Sequence, residues 1–143
     1  MNFKKQIPNL FTCLNLLCGC IALLAIADLQ LWIASYLIFV SALFDVFDGM
    51  AARTLNVQSA LGKQLDSLAD VVSFGVVPSF IMIGLMSNGE LVHSINFLSK
   101  PILFLPLIIA VCSAVRLAKF NIDARQTISF LGLPTPANAI FIA

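Results

Sequence analysis

The chain has 143 residues, of which 60% are hydrophobic and only 10% are charged, with a net charge of +1 and a mean hydropathy of +1.01. A soluble domain carries roughly 25% charged residues, so this chain has too few to cover a water-facing surface, and a bilayer is its natural solvent. The near-neutral balance excludes a strongly basic nucleic-acid binder.

Lys4 and Lys5 precede a first apolar run over residues 8 to 27. A bilayer span needs ~20 residues, so this run reads as a retained helix and not as a cleaved signal peptide. Pro8 suits its start, because the first-turn N–H that proline lacks has no partner there anyway. Asp28 closes the span. The four cysteines, Cys13, Cys18, Cys20 and Cys112, stand in apolar surroundings. The Cys18-Gly19-Cys20 spacing is neither a zinc nor a redox motif, so all four read as small packing residues.

Residues 31 to 54 form the second predicted span, with Trp32 and Tyr36 at its interfacial start. A short polar stretch from Leu55 to Gly62 leads to a third span over residues 63 to 86. Ser87 to Ser99 is a loop holding the only glutamate and the only histidine, His93, which reads as solvated. A fourth span covers residues 101 to 120, and Asn121 to Gly132 is a polar connector. Another helix begins at Pro134 and runs ten residues to Ala143. That is half a span, so the expected architecture is an all-α polytopic transmembrane bundle of four full spans plus the start of a fifth. The chain reads as one domain, residues 1 to 143, that is C-terminally incomplete. No internal repeat or low-complexity segment divides it.

Seven of the eight basic residues, Lys4, Lys5, Arg53, Lys63, Arg116, Lys119 and Arg125, fall on the side of the N-terminus in this topology, and only Lys100 lies opposite. By the positive-inside rule that side is cytoplasmic, and a cell membrane is the expected location.

The chemistry lies in four of the six aspartates. Asp45 and Asp48 are three apart and Asp66 and Asp70 four apart, so each pair lines one helix face. Both pairs lie toward the cytoplasmic ends of apolar helices, where an ionised carboxylate costs a few kcal/mol on insertion scales. Pairing with Arg53 and Lys63 is the plainer explanation for any one of them. Four at two helical spacings point instead to a shared site. Converging carboxylates repel one another, and divalent cations relieve this; an all-oxygen set favours Mg²⁺ or Mn²⁺. Gly49 and Gly62 allow close approach of a backbone or ligand, although small-residue helix packing explains either alone. Arg53, one turn beyond Gly49, suits a phosphate oxygen, and a topology anchor equally well.

Residues 45 to 70 read DVFDGMAARTLNVQSALGKQLDSLAD, with the spacing D-x2-D-G-x2-A-R-x8-G-x3-D-x3-D. This resembles, without departure, the signature of the CDP-alcohol phosphatidyltransferase family, and eight fixed positions make the match specific. PNLFTCLNLLCG at 8 to 19, FGVVPSF at 74 to 80, RLAKFN at 116 to 121 and FLGLPTPANA at 130 to 139 look like the phosphatidylserine synthase branch of that family. The resemblance implies CDP-diacylglycerol as donor, L-serine as acceptor, CMP as leaving group, two metal ions and a homodimer. It implies that Asp45, Asp48, Asp66 and Asp70 hold the metals and that Asp70 is also the general base. Gly49, Arg53 and Ser59 match positions that contact the CDP group, with Asn9 and Thr12 at the start of the first span reaching the nucleotide. Arg116 is the candidate for the serine carboxylate, since a guanidinium pairs with it bidentately; as a basic residue at a span end it also reads as an anchor. Glycerol 3-phosphate or inositol phosphate as acceptor, a transporter with an acidic ion pathway, and more remotely an intramembrane aspartyl protease are the other readings that the sequence leaves open.

Overall fold

The computed structural model describes residues 6–55, 59–88, 102–122 and 134–143. Among these residues every regular element is helical. Helix α1 (Gln6–Ala27) and α2 (Leu31–Thr54) are followed by α3 (Ala60–Asp70), a π-helical segment (Val71–Val76) and α4 (Val77–Asn88), which form one continuous rod. Helix α5 (Leu107–Ile122) and the short α6 (Thr135–Ile142) complete the order. Four rods are long and apolar enough to cross a membrane: Gln6–Ala27, Leu31–Thr54, Ala60–Ser87 and Ile102–Ile122. The chain is therefore a multi-pass membrane protein.

The boundaries differ from expectation where local chemistry intervenes. The third rod starts at Ala60 because Ser59, in extended conformation, caps it and accepts a hydrogen bond from the Gly62 amide at 2.9 Å. The fourth is interrupted at Pro106, which cannot continue a hydrogen-bonded helix from the preceding turn. A 3₁₀ turn at 102–104 precedes it, and α5 proper begins at Leu107. The expected loop with His93 and the connector with Arg125 lie outside the described residues, as do Lys4, Lys5 and Lys100.

The α1–α2 turn is tight. The Gln30 amide bonds to the Ala25 carbonyl at 2.8 Å and the Leu29 amide to the Ile26 carbonyl at 2.9 Å, which is the Schellman closure of a helix. That closure places Leu29 at φ 59°, a left-handed conformation usually given to glycine. Trp32 and Tyr36 stand exposed just beyond it, their rings in edge-to-face contact at 6.2 Å, as an interfacial aromatic pair should.

The core is built on small residues. Ala22, Ala25, Ala34 and Ala139 are buried with Ile38, Phe74, Val77 and Ile81. Without a hydrophobic drive between helices in lipid, close backbone approach supplies the packing. At Gly19 an added Cβ would lie 2.6 Å from Ser73 Oγ and 3.2 Å from Ser73 Cα, so this glycine is what lets α1 lie against the π segment. Leucines such as Leu10, Leu17, Leu24, Leu43 and Leu68 face outward, as befits a lipid-facing surface.

Helices α2 and α3 are consecutive, yet they barely touch each other. Both pack on α1, and α5 packs on the π segment and, less extensively, on α3. The faces carrying the aspartates thus meet across a gap, with α1 as its floor.

Candidate metal and substrate site

All four aspartates open onto one cavity of about 880 Å³ in that gap. Asp45 and Asp66 are half-buried, whereas Asp48 is 6% and Asp70 7% exposed. Carboxylate oxygens of Asp45, Asp48 and Asp66 lie within 4.8 Å of one another. Asp70, one turn beyond Asp66 on α3, lines the same cavity.

Each end of the quartet is held by α1. Thr12 Oγ1 donates to Asp48 Oδ2 at 2.8 Å, and Asn15 Nδ2 donates to Asp70 Oδ1 at 3.4 Å. Thr12 and Asn15 are one turn apart on the same face of α1. By contrast, Asp66 Oδ1 is buried with no hydrogen-bond partner, the one such side-chain atom among the described residues. A buried anionic oxygen without a partner is expensive. A cation held by Asp66 together with Asp45 and Asp48 would satisfy it. The donor set is all oxygen, which suits a hard divalent ion. These residues fit a metal.

Basic groups ring the same cavity: Arg53 from α2, Lys63 from α3, and Arg116 and Lys119 from α5. They are the described members of the set that the positive-inside argument placed on one side, and the fold gathers them at one end. Lys63 Nζ also lies over the Phe120 ring, 5.9 Å from its centre. Asn121 Nδ2 donates to Ser67 Oγ at 2.7 Å, tying α5 to α3 beside Asp66. Anionic groups at the floor and cations at the rim suit a ligand whose phosphates are neutralised from both sides.

A second cavity, about 450 Å³, shares Asp48, Gly49, Lys63 and Asp66 with the first and continues to Asn9, Thr12 and Ser59. The ten residues singled out from sequence, Asn9, Thr12, Asp45, Asp48, Gly49, Arg53, Ser59, Asp66, Asp70 and Arg116, therefore all line one contiguous space. Gly49 is open: a Cβ there would meet nothing within 4 Å. Gly62 is different, since its missing Cβ makes room for Asn9 Oδ1, 2.9 Å away, and for Ser59 Oγ at 3.0 Å. Two candidate nucleotide contacts have structural tasks as well: Ser59 caps α3, and the Thr12 proton is shared between Asp48 and the Pro8 carbonyl at 3.1 Å.

The sequence reading missed Asn15. It is fully buried, and Ser41 of α2 donates to its Oδ1 while Ser73 of the π segment donates to its backbone carbonyl at 3.1 Å. The available signal was an amide in mid-span, costly in lipid unless partnered, three residues after Thr12.

These features define a polytopic membrane protein with an acidic, metal-competent site under a basic rim. The chain belongs to the CDP-alcohol phosphatidyltransferase family, whose model matches residues 5–143. It is 36% identical over 132 residues to the CDP-diacylglycerol–serine O-phosphatidyltransferase of Bacillus subtilis, covering 92% of this chain and 70% of that one. It is 36% identical to the enzyme of the same name from Methanocaldococcus jannaschii over 95% of this chain and 58% of that one. It is 34% identical to the archaetidylserine synthase of Methanothermobacter thermautotrophicus over 100% of this chain and 60% of that one. The chain thus spans between 58% and 70% of the length of these three relatives. No solved structure matches it significantly.

Proposed function

We propose that this protein transfers a phosphatidyl group from CDP-diacylglycerol to L-serine, forming phosphatidylserine and releasing CMP, as a step of phospholipid biosynthesis. The observation that carries the reading is the convergence of Asp45, Asp48, Asp66 and Asp70 on one cavity, with Asp66 Oδ1 buried and unpartnered. The names of the relatives supply the acceptor.

Two divalent ions, Mg²⁺ or Mn²⁺, are the cofactors. Asp45, Asp48, Asp66 and Asp70, which line the cavity together, would hold them. When bound, the ions polarise the phosphoryl oxygens and offset charge on the departing phosphate. The protein's own groups do the rest. Arg53 and Lys63, at the rim, take phosphate oxygens of the donor. Gly49 leaves room for the CDP group, and Asn9, Thr12 and Ser59 line the adjoining cavity where the nucleotide extends. Arg116 pairs with the serine carboxylate.

Asp70 accepts the proton of the serine hydroxyl as that oxygen attacks the lipid-side phosphorus. One P–O bond forms, the bond to CMP breaks, and CMP leaves with its electron pair. Asn15 donates to Asp70 Oδ1, and the carboxylate's other lone pairs are left for an ion and for this proton. The diacylglycerol tails remain in lipid beside the outward-facing leucines. The basic rim, with Arg53, Lys63, Arg116 and Lys119, faces the cytoplasm, where nucleotides are found.

Incubating membranes with CDP-diacylglycerol and labelled serine, glycerol 3-phosphate or inositol phosphate tests the reading. Label from serine enters lipid with equimolar CMP. Label from either phosphate instead would assign a different acceptor within the family.

A further inference from the structure

We propose that Asn15 is a positioning residue that fixes the Asp70 carboxylate, and that with Thr12 it makes α1 the alignment helix of a site to which it contributes no carboxylate. The inference rests on the metal-binding reading above. Three observations carry it.

The first is the hydrogen bond from Asn15 Nδ2 to Asp70 Oδ1 at 3.4 Å, made by a side chain that is 0% exposed. The second is that the orientation of the amide is enforced. Ser41 donates to Asn15 Oδ1, so the oxygen of the amide faces α2 and its N–H₂ faces Asp70. A rotated amide would turn its oxygen toward a carboxylate. The third is that the backbone beneath is pinned. Ser73 Oγ donates to the Asn15 carbonyl at 3.1 Å, and Gly19, one turn along α1, lets the π segment sit against it. Asp70 is the last residue before that segment. A π turn inside a helix often marks a functional site, and here it directs Ser73 toward the same α1 residue that holds Asp70.

Because α2 and α3 barely touch while both pack on α1, α1 bears directly on the separation of their carboxylates. Thr12 holds Asp48 of α2 and Asn15 holds Asp70 of α3. A change in the pitch of α1 between these residues would move the two carboxylates relative to each other. Outer-shell partners of this kind typically contribute about 10- to 100-fold to metal affinity or activity.

The test is Mn²⁺ binding to the purified protein in detergent, read from the electron paramagnetic resonance signal of free Mn²⁺, with no substrate present. Asn15→Leu keeps the branched shape and the number of side-chain heavy atoms and removes both amide bonds. It should weaken Mn²⁺ binding about tenfold or more, and in an Asp70→Ala background it should add little further loss, because the group it acts through is gone. Its kcat should fall while KM for CDP-diacylglycerol changes little. Ser41→Ala removes the amide's orienting donor, together with the 3.3 Å bond from the same hydroxyl to the Asn15 carbonyl, and should give a smaller loss of the same kind, several-fold; it decides the matter if Asn15→Leu does not fold. Unchanged Mn²⁺ binding in a folded Asn15→Leu or in Ser41→Ala, or a full additional loss on Asp70→Ala, overturns the positioning role. Wild-type protein that binds no Mn²⁺ overturns the metal-dependent reading and this role with it, whereas wild-type binding with insensitive variants removes this role alone.

Discussion

Thr12 Oγ1 lies 2.8 Å from Asp48 Oδ2 and donates to it across the α1–α2 interface. The bond spends the hydroxyl proton on a carboxylate of the proposed metal site, so Thr12 contributes at most its oxygen lone pairs to a nucleotide. Thr12→Val, which keeps the shape and deletes the donor, should lower CMP release about tenfold or more and raise the Mn²⁺ concentration needed for half-maximal rate. Thr12→Ser should stay close to wild type. A steady-state metal titration of the three proteins checks this.

The aspartate cluster should make stability depend on metal with an unusual sign. In chelator, Asp66→Asn should be more stable than wild type, because it removes one of several mutually repelling carboxylates and with it the negative charge on the orphaned Asp66 Oδ1. With Mn²⁺ at about 100 times its dissociation constant, wild type should gain about 2.7 kcal/mol, and Asp66→Asn much less, so the order reverses. Thermal unfolding in detergent with EDTA and with Mn²⁺ measures both. Asp70→Asn should leave the protein inserted while slowing transfer by roughly 10² to 10⁴, the usual worth of a general base.

Two glycines should respond oppositely to alanine. At Gly19 the added Cβ meets Ser73 Oγ at 2.6 Å and Ser73 Cα at 3.2 Å. Gly19→Ala should therefore destabilise the fold by about 1–3 kcal/mol, with part of the loss recovered by Ser73→Gly. At Gly49 nothing lies within 4 Å. Gly49→Ala should leave the unfolding midpoint close to wild type and raise KM for CDP-diacylglycerol, since its methyl group enters the shared part of the two cavities. Unfolding curves beside kinetic constants separate the two cases.

Leu29 sits at φ 59° in the Schellman closure of α1 and is exposed. A non-glycine residue there costs about 1–2 kcal/mol, and its side chain makes no core contact that would repay it. Leu29→Gly should raise the unfolding midpoint by the equivalent of about 1 kcal/mol, without changing transfer activity.

The sequence revealed the spans because each is an apolar run bounded by charge or proline, and it revealed the aspartates because ionised groups in such runs need a reason. It could not reveal how the helices lean. Spacing puts Asp45 with Asp48 and Asp66 with Asp70, but says nothing of the gap between α2 and α3 or of α1 lying beneath it. Asn15 escaped notice for that reason: its worth depends on Asp70, which is 55 positions away in sequence. The π segment after Asp70 was equally hidden, since VVSFGV is apolar and fits an ordinary helix. Ser59 and Pro106 moved two helix starts through capping and a missing N–H, local effects that hydrophobic periodicity averages out.

Mn²⁺ soaked into crystals of the protein and located by anomalous diffraction tests the central claim most directly. The account predicts two strong peaks among Asp45, Asp48, Asp66 and Asp70. Peaks elsewhere, or none at a concentration that supports full activity, would contradict it.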